Sequence, residues 1–448
     1  MSKQTGLIAG STIFFLASLI SFIARFATSV IVARTLGVEG KGLYALVLLV
    51  NTLLILFLDP GLSSAITYLV ASRQYQPGEL FFFALWASIL LSVVGGSLFY
   101  LCHITFLAEN FLAGLQPIYI QLILILLPIN LLTSYLSGML LGLQKIFIFN
   151  LIGVFRVGAT LIFQILSALQ KGGVLGALLA YVVANFFTLL LALWAQRKAI
   201  RLSTAGQKLI LTRSLSYGFK NYFANLTQFF NYRLDTFIVN FFGGSTNVGL
   251  YSTGVATAEL LWYMPNAVSG ALFPKSASLE KEHSSRLTSQ ACRQTLIILI
   301  PFSLVFALLG SRAIPLIYGT AFQASVIPFL LLLPGIVGLA IGKIIFANLS
   351  GSGKPQYATF SAVFALGSTI LLDVLLIPAI GIKGAAIASS LSYLLIAFLA
   401  IYWFYKETNT RWSELIIPQV ADFHFLIQFG RDVIKKSLDV FKQAIHLS

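Results

Sequence analysis

The chain has 448 residues, 58% of them hydrophobic and only 10% charged, with a mean hydropathy of +0.91. Soluble domains carry about 25% charged and ~45–50% apolar residues, so a soluble, disordered or fibrous protein is excluded and lipid is the solvent. The formal charge of +15 would suggest nucleic acid in a soluble chain. In a membrane chain it points to basic loops on the cytoplasmic face, and no nucleic-acid partner is expected.

A spanning helix needs about 20 mainly apolar residues. In chain order the stretches that qualify are 7–33, 43–71, 79–101, 117–141, 146–169, 173–194, 214–242, 248–273, 291–310, 324–349, 356–379 and 384–404. They predict an all-α integral membrane protein with twelve transmembrane helices and connections too short to hide a soluble domain. The first stretch is too long for a signal-peptide core and contains Arg25, so it is predicted to be a retained helix. With the N-terminus inside, nineteen lysines and arginines fall on one side of the membrane and five on the other. That bias puts both termini of this multi-pass protein in the cytoplasm. Cys102 and Cys292 fall in loops on opposite faces and cannot pair. His103, His283, His424 and His446 show no metal-ligand spacing, so neither a metal nor a cofactor is expected.

Past residue 404 the pattern changes. Val433, Ile434, Leu438, Phe441 and Ile445 recur at helical spacing, with Lys435, Lys436 and Lys442 between them. This predicts an amphipathic helix on the inner leaflet; a tail helix packed on the bundle is the alternative.

Internal repeats decide architecture. Gly42-Leu43-Tyr44 recurs as Gly249-Leu250-Tyr251, and Val32 and Gly37 meet Val239 and Gly244, all at an offset of 207. Pro60 meets Pro265 at 205, Gly142 and Lys145 meet Gly351 and Lys354 at 209, and Gly173, Gly176 and Ala177 meet Gly381, Gly384 and Ala385 at 208. Several ordered matches within 205–209 read as a duplicated half. The expected organisation is two pseudo-symmetric six-helix lobes around a central cavity, residues 1–195 and 214–404. A basic cytoplasmic linker at 196–213 joins them, and 405–448 form the cytoplasmic tail. Six helices is an even number, so the lobes are related by an axis along the membrane normal.

An ionisable side chain at the bilayer centre costs at least ~2.5–3.5 kcal/mol and normally faces a partner or a cavity. On the seventh stretch Asn221, Asn225, Gln228, Tyr232 and Asp235 are spaced 4, 3, 4 and 3, which places them on one helix face. Ser18, Ser21, Arg25 and Thr28 occupy the repeat-equivalent face of the first. A wet cleft shared by the two lobes explains both stripes; a closed polar seam between helices is the competing reading. Arg156 and Lys343 either line that cavity or pair structurally. Asp59 and Asp373 read as structural partners, and Glu259 joins Asp235 as an acid available to a coupling cation. Ser350-Gly-Ser-Gly353-Lys354-Pro355 lacks the first glycine and the final Ser/Thr of a phosphate-binding loop and reads as a turn. Asn225-Leu-Thr and Asn348-Leu-Ser match the glycosylation pattern only at membrane depth.

Ile31-Val-Ala-Arg-Thr-Leu-Gly-Val-Glu-Gly-Lys-Gly-Leu-Tyr-Ala-Leu46, Tyr232-Arg-Leu-Asp235, Val248-Gly-Leu-Tyr251 and Leu272-Phe-Pro274 resemble segments of the polysaccharide transport family. These are the Wzx-type flippases of the multidrug/oligosaccharidyl-lipid/polysaccharide exporter superfamily. The resemblance implies two lobes around a cavity and no enzymatic activity. It also implies translocation of undecaprenyl-pyrophosphate-linked sugar units across the bacterial inner membrane by alternating access. The substrate would serve lipopolysaccharide O-antigen, capsule or exopolysaccharide synthesis. Arg25 matches a cavity arginine of related lipid-pyrophosphate flippases.

On this reading Arg25, with Arg156 or Lys343, attracts the pyrophosphate, while Asn221, Asn225, Gln228 and Tyr232 contact sugars. Asp235 and Glu259 are the candidates for H+ or Na+ coupling. The partners expected are polyprenyl-pyrophosphate oligosaccharide and membrane lipids, for a monomer working beside polysaccharide polymerase machinery. The alternative in the same fold is a cation-coupled exporter of small molecules. A membrane-embedded sugar transferase is disfavoured, because the outward loop at about 102–116 offers only His103 and Glu109.

Overall fold

A computed structural model describes residues 3–107, 112, 114–197 and 206–423, and the side chains of all of these except 3–16, 220, 221 and 224. The described residues are almost wholly helical. The helices are α1 (Lys3–Leu58), α2 (Leu62–Ala71), α3 (Pro77–Cys102), α4 (Pro117–Gly142), α5 (Ile146–Leu169), α6 (Gly173–Ala195) and α7 (Gln207–Ala258). They continue as α8 (Tyr263–Ser278), α9 (Lys281–Tyr318), α10 (Val326–Gly351), α11 (Gln356–Ile380), α12 (Ile382–Thr408) and the short α13 (Trp412–Ile416). Nine described helical runs are long and apolar enough to cross a bilayer. Lipid permits little else, since each helix satisfies its own backbone. The amphipathic helix expected at 433–445 lies outside the described residues.

The very long α1 and α7 are each two helical runs joined at a glycine. Gly37 (φ 68°, ψ −169°) and Gly244 (φ 69°, ψ −177°) share one non-helical conformation, 207 residues apart, that a side chain would strain. The other offsets carry matching geometry. Lys145 N–H donates to Leu140 O at 2.9 Å and Lys354 N–H to Leu349 O at 2.8 Å, closing the same turn in each half. A Cβ on Gly142 would lie 2.6 Å from Thr67 O, and one on Gly351 would lie 2.5 Å from Phe273 O. The duplication is therefore present in the backbone.

The glycine junction also explains where expectation and structure differ. Arg34 and Lys41, expected in an outward loop, lie inside α1 on either side of Gly37. Arg34 donates to Leu316 O and, at 2.8 Å, to Ile317 O. Lys41 is buried, with Nζ 4.2 Å from the centre of the Tyr318 ring.

The chain forms two compact units. The first comprises Met1–Thr253, Ile314–Ser325 and Asp373–Ala385; the second comprises Gly254–Ala313, Val326–Leu372 and Ala386–Ser448. In the first, Tyr135, Leu136 and Met139 of α4 are enclosed by Leu62, Ile66, Phe83 and Ala84 from α2 and α3. There α1 and α7 approach most closely at the paired glycines. A Cβ on Gly42 would lie 1.8 Å from Ser245 O, and one on Gly249 would lie 2.0 Å from Val38 O. In the second, Cys292, Leu296, Ile344, Ile345 and Phe404 form the core. Its end is stapled by Arg293, whose Nε and Nη2 donate to Asp422 at 2.6 and 3.1 Å and whose Nη1 donates to Glu414 O at 2.6 Å.

Two outcomes follow from these contacts. Gly249→Ala should destabilise by about 1–3 kcal/mol through overpacking, lowering the melting temperature in detergent. Gly153→Ala, where nothing lies within 4 Å, should leave it unchanged. Burial pushes the Asp422 carboxyl up, but hydrogen bonds from Arg293 and the Gln419 N–H, with the Arg293 charge, hold it below the ordinary carboxylate range. The staple is thus at full strength above the unfolded-state value of about 3.9 and is lost as pH falls through the folded value. Hydrogen exchange of peptides spanning 412–423, corrected for intrinsic rates, should speed up below about pH 4 in the wild type. In Asp422→Asn it should be fast already at neutral pH.

Candidate functional site

The polar stripe of α7 is graded along its length. Asn225 and Gln228 are exposed, Tyr232 is half-buried and Asp235 is buried; the side chain of Asn221 lies outside the described ones. Asp235 accepts from Thr236 N–H at 2.6 Å, Thr236 Oγ1 at 3.1 Å and the Tyr251 hydroxyl. The first-helix stripe follows the same gradient. Ser18 and Arg25 are exposed, and Thr28 is buried, donating to Ala24 O at 2.8 Å. Both stripes are exposed toward the N-terminal side of their helices and buried toward the glycine junctions.

Arg25 has no hydrogen-bond or ion-pair partner among the described residues. Arg156 is held from one side only. Asn51 Nδ2 donates to Ile123 O at 3.4 Å, Asn130 Nδ2 donates to Asn51 Oδ1 at 3.1 Å, and Arg156 Nη2 donates to Asn130 Oδ1 at 3.3 Å and to the Tyr181 hydroxyl at 3.5 Å. Among the described residues Nε and Nη1 have no partner, so N–H groups on two sides of the guanidinium are available to an anion.

The register of α1 and α5 sets the depth of both cations. Thr35 and Leu36 line one cavity with Gln164, Ser167 and Ala168, and alternate spans run α1 and α5 in the same direction. Arg25 precedes Thr35 and Leu36 by ten and eleven residues, and Arg156 precedes Gln164, Ser167 and Ala168 by eight to twelve, so the two cations lie comparable distances along their helices from that cavity. Arg156 is about 15 Å along α5 from its start at Ile146.

The remaining candidates separate. Lys343, in the second unit, donates to Asn266 Oδ1 at 2.9 Å, sits 4.1 Å from the centre of the Trp262 ring, and lies within electrostatic reach of Glu259. Its ammonium is thus engaged inside that unit. Glu259 opens the 3-10 turn Glu259–Trp262 between α7 and α8. Asp59 accepts from the N–H groups of Leu62 and Ser63 at 2.6 and 3.3 Å, capping α2.

Asp373 is fully buried in the first unit, neither carboxylate oxygen has a hydrogen-bond partner among the described residues, and Asp235 acts on it electrostatically. Sequence periodicity does not link these two acids, nor Asn51 to Asn130 and Tyr181. The available signal is only that each is polar within an apolar span.

Comparison with known proteins gives concordant results. The model of a family described as "Polysaccharide biosynthesis protein" matches residues 31–327. A probable low-salt glycan biosynthesis flippase of Haloferax volcanii, Agl15, is 23% identical over 395 residues, spanning 85% of this chain and 79% of that protein. The chain also has the fold of an inward-facing multidrug resistance MATE family transporter of the MOP superfamily. The TM-score is 0.67 at 17% identity, over 87% of this chain and 94% of that one. With the lipid II flippase MurJ in an inward closed conformation the score is 0.66 at 15% identity, over 94% and 96%.

The burial gradient predicts a reactivity gradient. In a Cys102→Ser background, Asn225→Cys and Gln228→Cys should react with a water-soluble maleimide at least tenfold faster than Thr236→Cys. Equal rates along α7 would contradict the graded stripe.

Proposed function

This chain belongs to the polysaccharide biosynthesis protein family, and from that footing we propose that it flips undecaprenyl-pyrophosphate-linked oligosaccharide across the bacterial inner membrane. Both termini stay in the cytoplasm and access alternates between the two leaflets. The observation that carries the reading is the pair of arginines of the first unit, Arg25 and Arg156, with guanidinium donors that no described residue occupies. A pyrophosphate and a string of sugar hydroxyls would lose their hydrogen bonds in ~30 Å of hydrocarbon. Arginine forks replace those of the phosphates, and the exposed amides of Asn225 and Gln228 replace those of the sugars. Lys343 belongs to this set only if its bond to Asn266 opens during transport.

Asp235 and Asp373 supply the energetic half of the proposal. Two buried carboxylates within reach of each other call for a proton or a metal cation to share, which makes them the seat of H+ or Na+ coupling. The same pair favours a second reading, cation-coupled export of small molecules, in which the arginines are structural.

Deletion of the gene, followed by analysis of lipid-linked glycans, separates the two. The flippase reading expects repeat units to accumulate on the cytoplasmic leaflet, whereas unchanged surface glycan with altered drug tolerance supports the exporter. In reconstituted vesicles Arg25→Ala should lower flipping about ten- to a hundredfold, the worth of a charged hydrogen bond of about 1.5–3 kcal/mol. Asp235→Asn should remove the dependence on the cation gradient and leave binding of the lipid intact.

A further inference from the structure

On α5 and α6 the first unit carries a cavity of a different kind, 500 Å³ in volume and lined among others by Leu151, Phe155, Gly158, Ile162, Phe163 and Phe187. Leu151, Phe155, Ile162 and Phe187 are exposed, so the cavity is a groove open to lipid. Phe163 and Phe187 stack with centroids 5.8 Å apart and planes at 14°, making a flat wall. The notch comes from Gly158, where nothing lies within 4 Å of the position a Cβ would take. At about 100° per residue, Leu151, Gly158 and Ile162 lie on one line down α5. Arg156 falls about 60° beyond Ala159, at the groove's margin.

Some apolar chain always covers such a groove in a bilayer, and Arg156 decides which. An ordinary phospholipid keeps its phosphate at the interface, about 15 Å from mid-depth, and cannot place its chain here and its phosphate on a free N–H of that guanidinium. A lipid whose phosphate is being carried through mid-depth does both at once. A bulky branched chain also gains contact in a notched, aromatic-walled groove where a straight chain leaves gaps.

We propose that this groove seats the polyisoprenoid chain of the lipid-linked substrate during transit, with the adjoining phosphate accepting from a free N–H of Arg156, on Nε or Nη1. The proposal rests on the flippase reading and assigns it a chain-binding surface on α5 and α6. Because the groove runs along α5, the chain can slide in it as the phosphate moves.

The test is photo-crosslinking in proteoliposomes with an undecaprenyl-type pyrophosphate that carries a diazirine in its chain near the headgroup. Adducts should map by mass spectrometry to residues 151–163 and Phe187. Gly158→Phe places its Cβ where nothing lies within 4 Å, fills the notch, and should lower labelling of this region at least tenfold at unchanged melting temperature. Arg156→Ala should lower it similarly, and Arg156→Lys should restore part of it. Adducts that map elsewhere on the wild type overturn the groove and leave the flippase reading standing. Equal labelling by a phosphatidylglycerol with the same diazirine also overturns it, assigning the groove to ordinary membrane lipid. No labelling above that of an unrelated membrane protein overturns both.

Discussion

Hydrocarbon offers no hydrogen bonds, and that constraint governs this structure more than any single contact. A polar side chain at membrane depth must be answered from within the protein, and the ways in which it is answered divide structural groups from functional ones. Asp59 is answered by two backbone N–H groups on Oδ1 and caps a helix. Arg293 is answered completely by a carboxylate and a carbonyl. Arg156 is answered on one nitrogen and Asp373 on neither oxygen among the described residues. An incomplete answer at that depth is costly, and the proposed function assigns such groups a ligand that completes them for part of a cycle.

The two halves of the sequence show how such sites arise on a duplicated frame. The backbone is conserved between them at its difficult points: the glycine junctions at Gly37 and Gly244, and the tight helix contacts at Gly142 and Gly351. The ionic chemistry is not. Arg156 stands on an amide relay, whereas Lys343 is held by Asn266 and the Trp262 ring. Duplication supplied matched helix packing, and the polar groups diverged within it.

This difference explains what is legible in the sequence. Spans are legible because lipid fixes their length, and repeat glycines because a positive φ or a carbonyl at 2.0 Å admits no side chain. The stripe of Asn225, Gln228, Tyr232 and Asp235 is legible because a helix face has a period. Pairings between helices have no period. Nothing in the spacing of Asn51, Asn130 and Tyr181 announces that they meet around Arg156. Asp373, which reads as a structural partner from sequence alone, gains its electrostatic link to Asp235 only in the folded first unit. Local rules decide elements, and function sits in contacts that those rules do not reach.

A transport site must also release what it binds, and this limits how strong it can be. A guanidinium with all five donors aimed at a pyrophosphate would hold it in a well too deep to leave, since each charged hydrogen bond contributes about 1.5–3 kcal/mol. With Nη2 tied to Asn130 and Tyr181, Arg156 has fewer donors to give and a fixed orientation in which to give them. On the flippase reading the amide relay therefore has two effects that suit transit. It removes the rotamer entropy that a free arginine would lose on binding, and it caps the depth of the well. On the proposed reading Arg25, exposed and without a partner among the described residues, has the opposite character and suits first capture of the phosphate. A loose capturing cation followed by a tethered one gives that phosphate a path of comparable wells rather than a single trap.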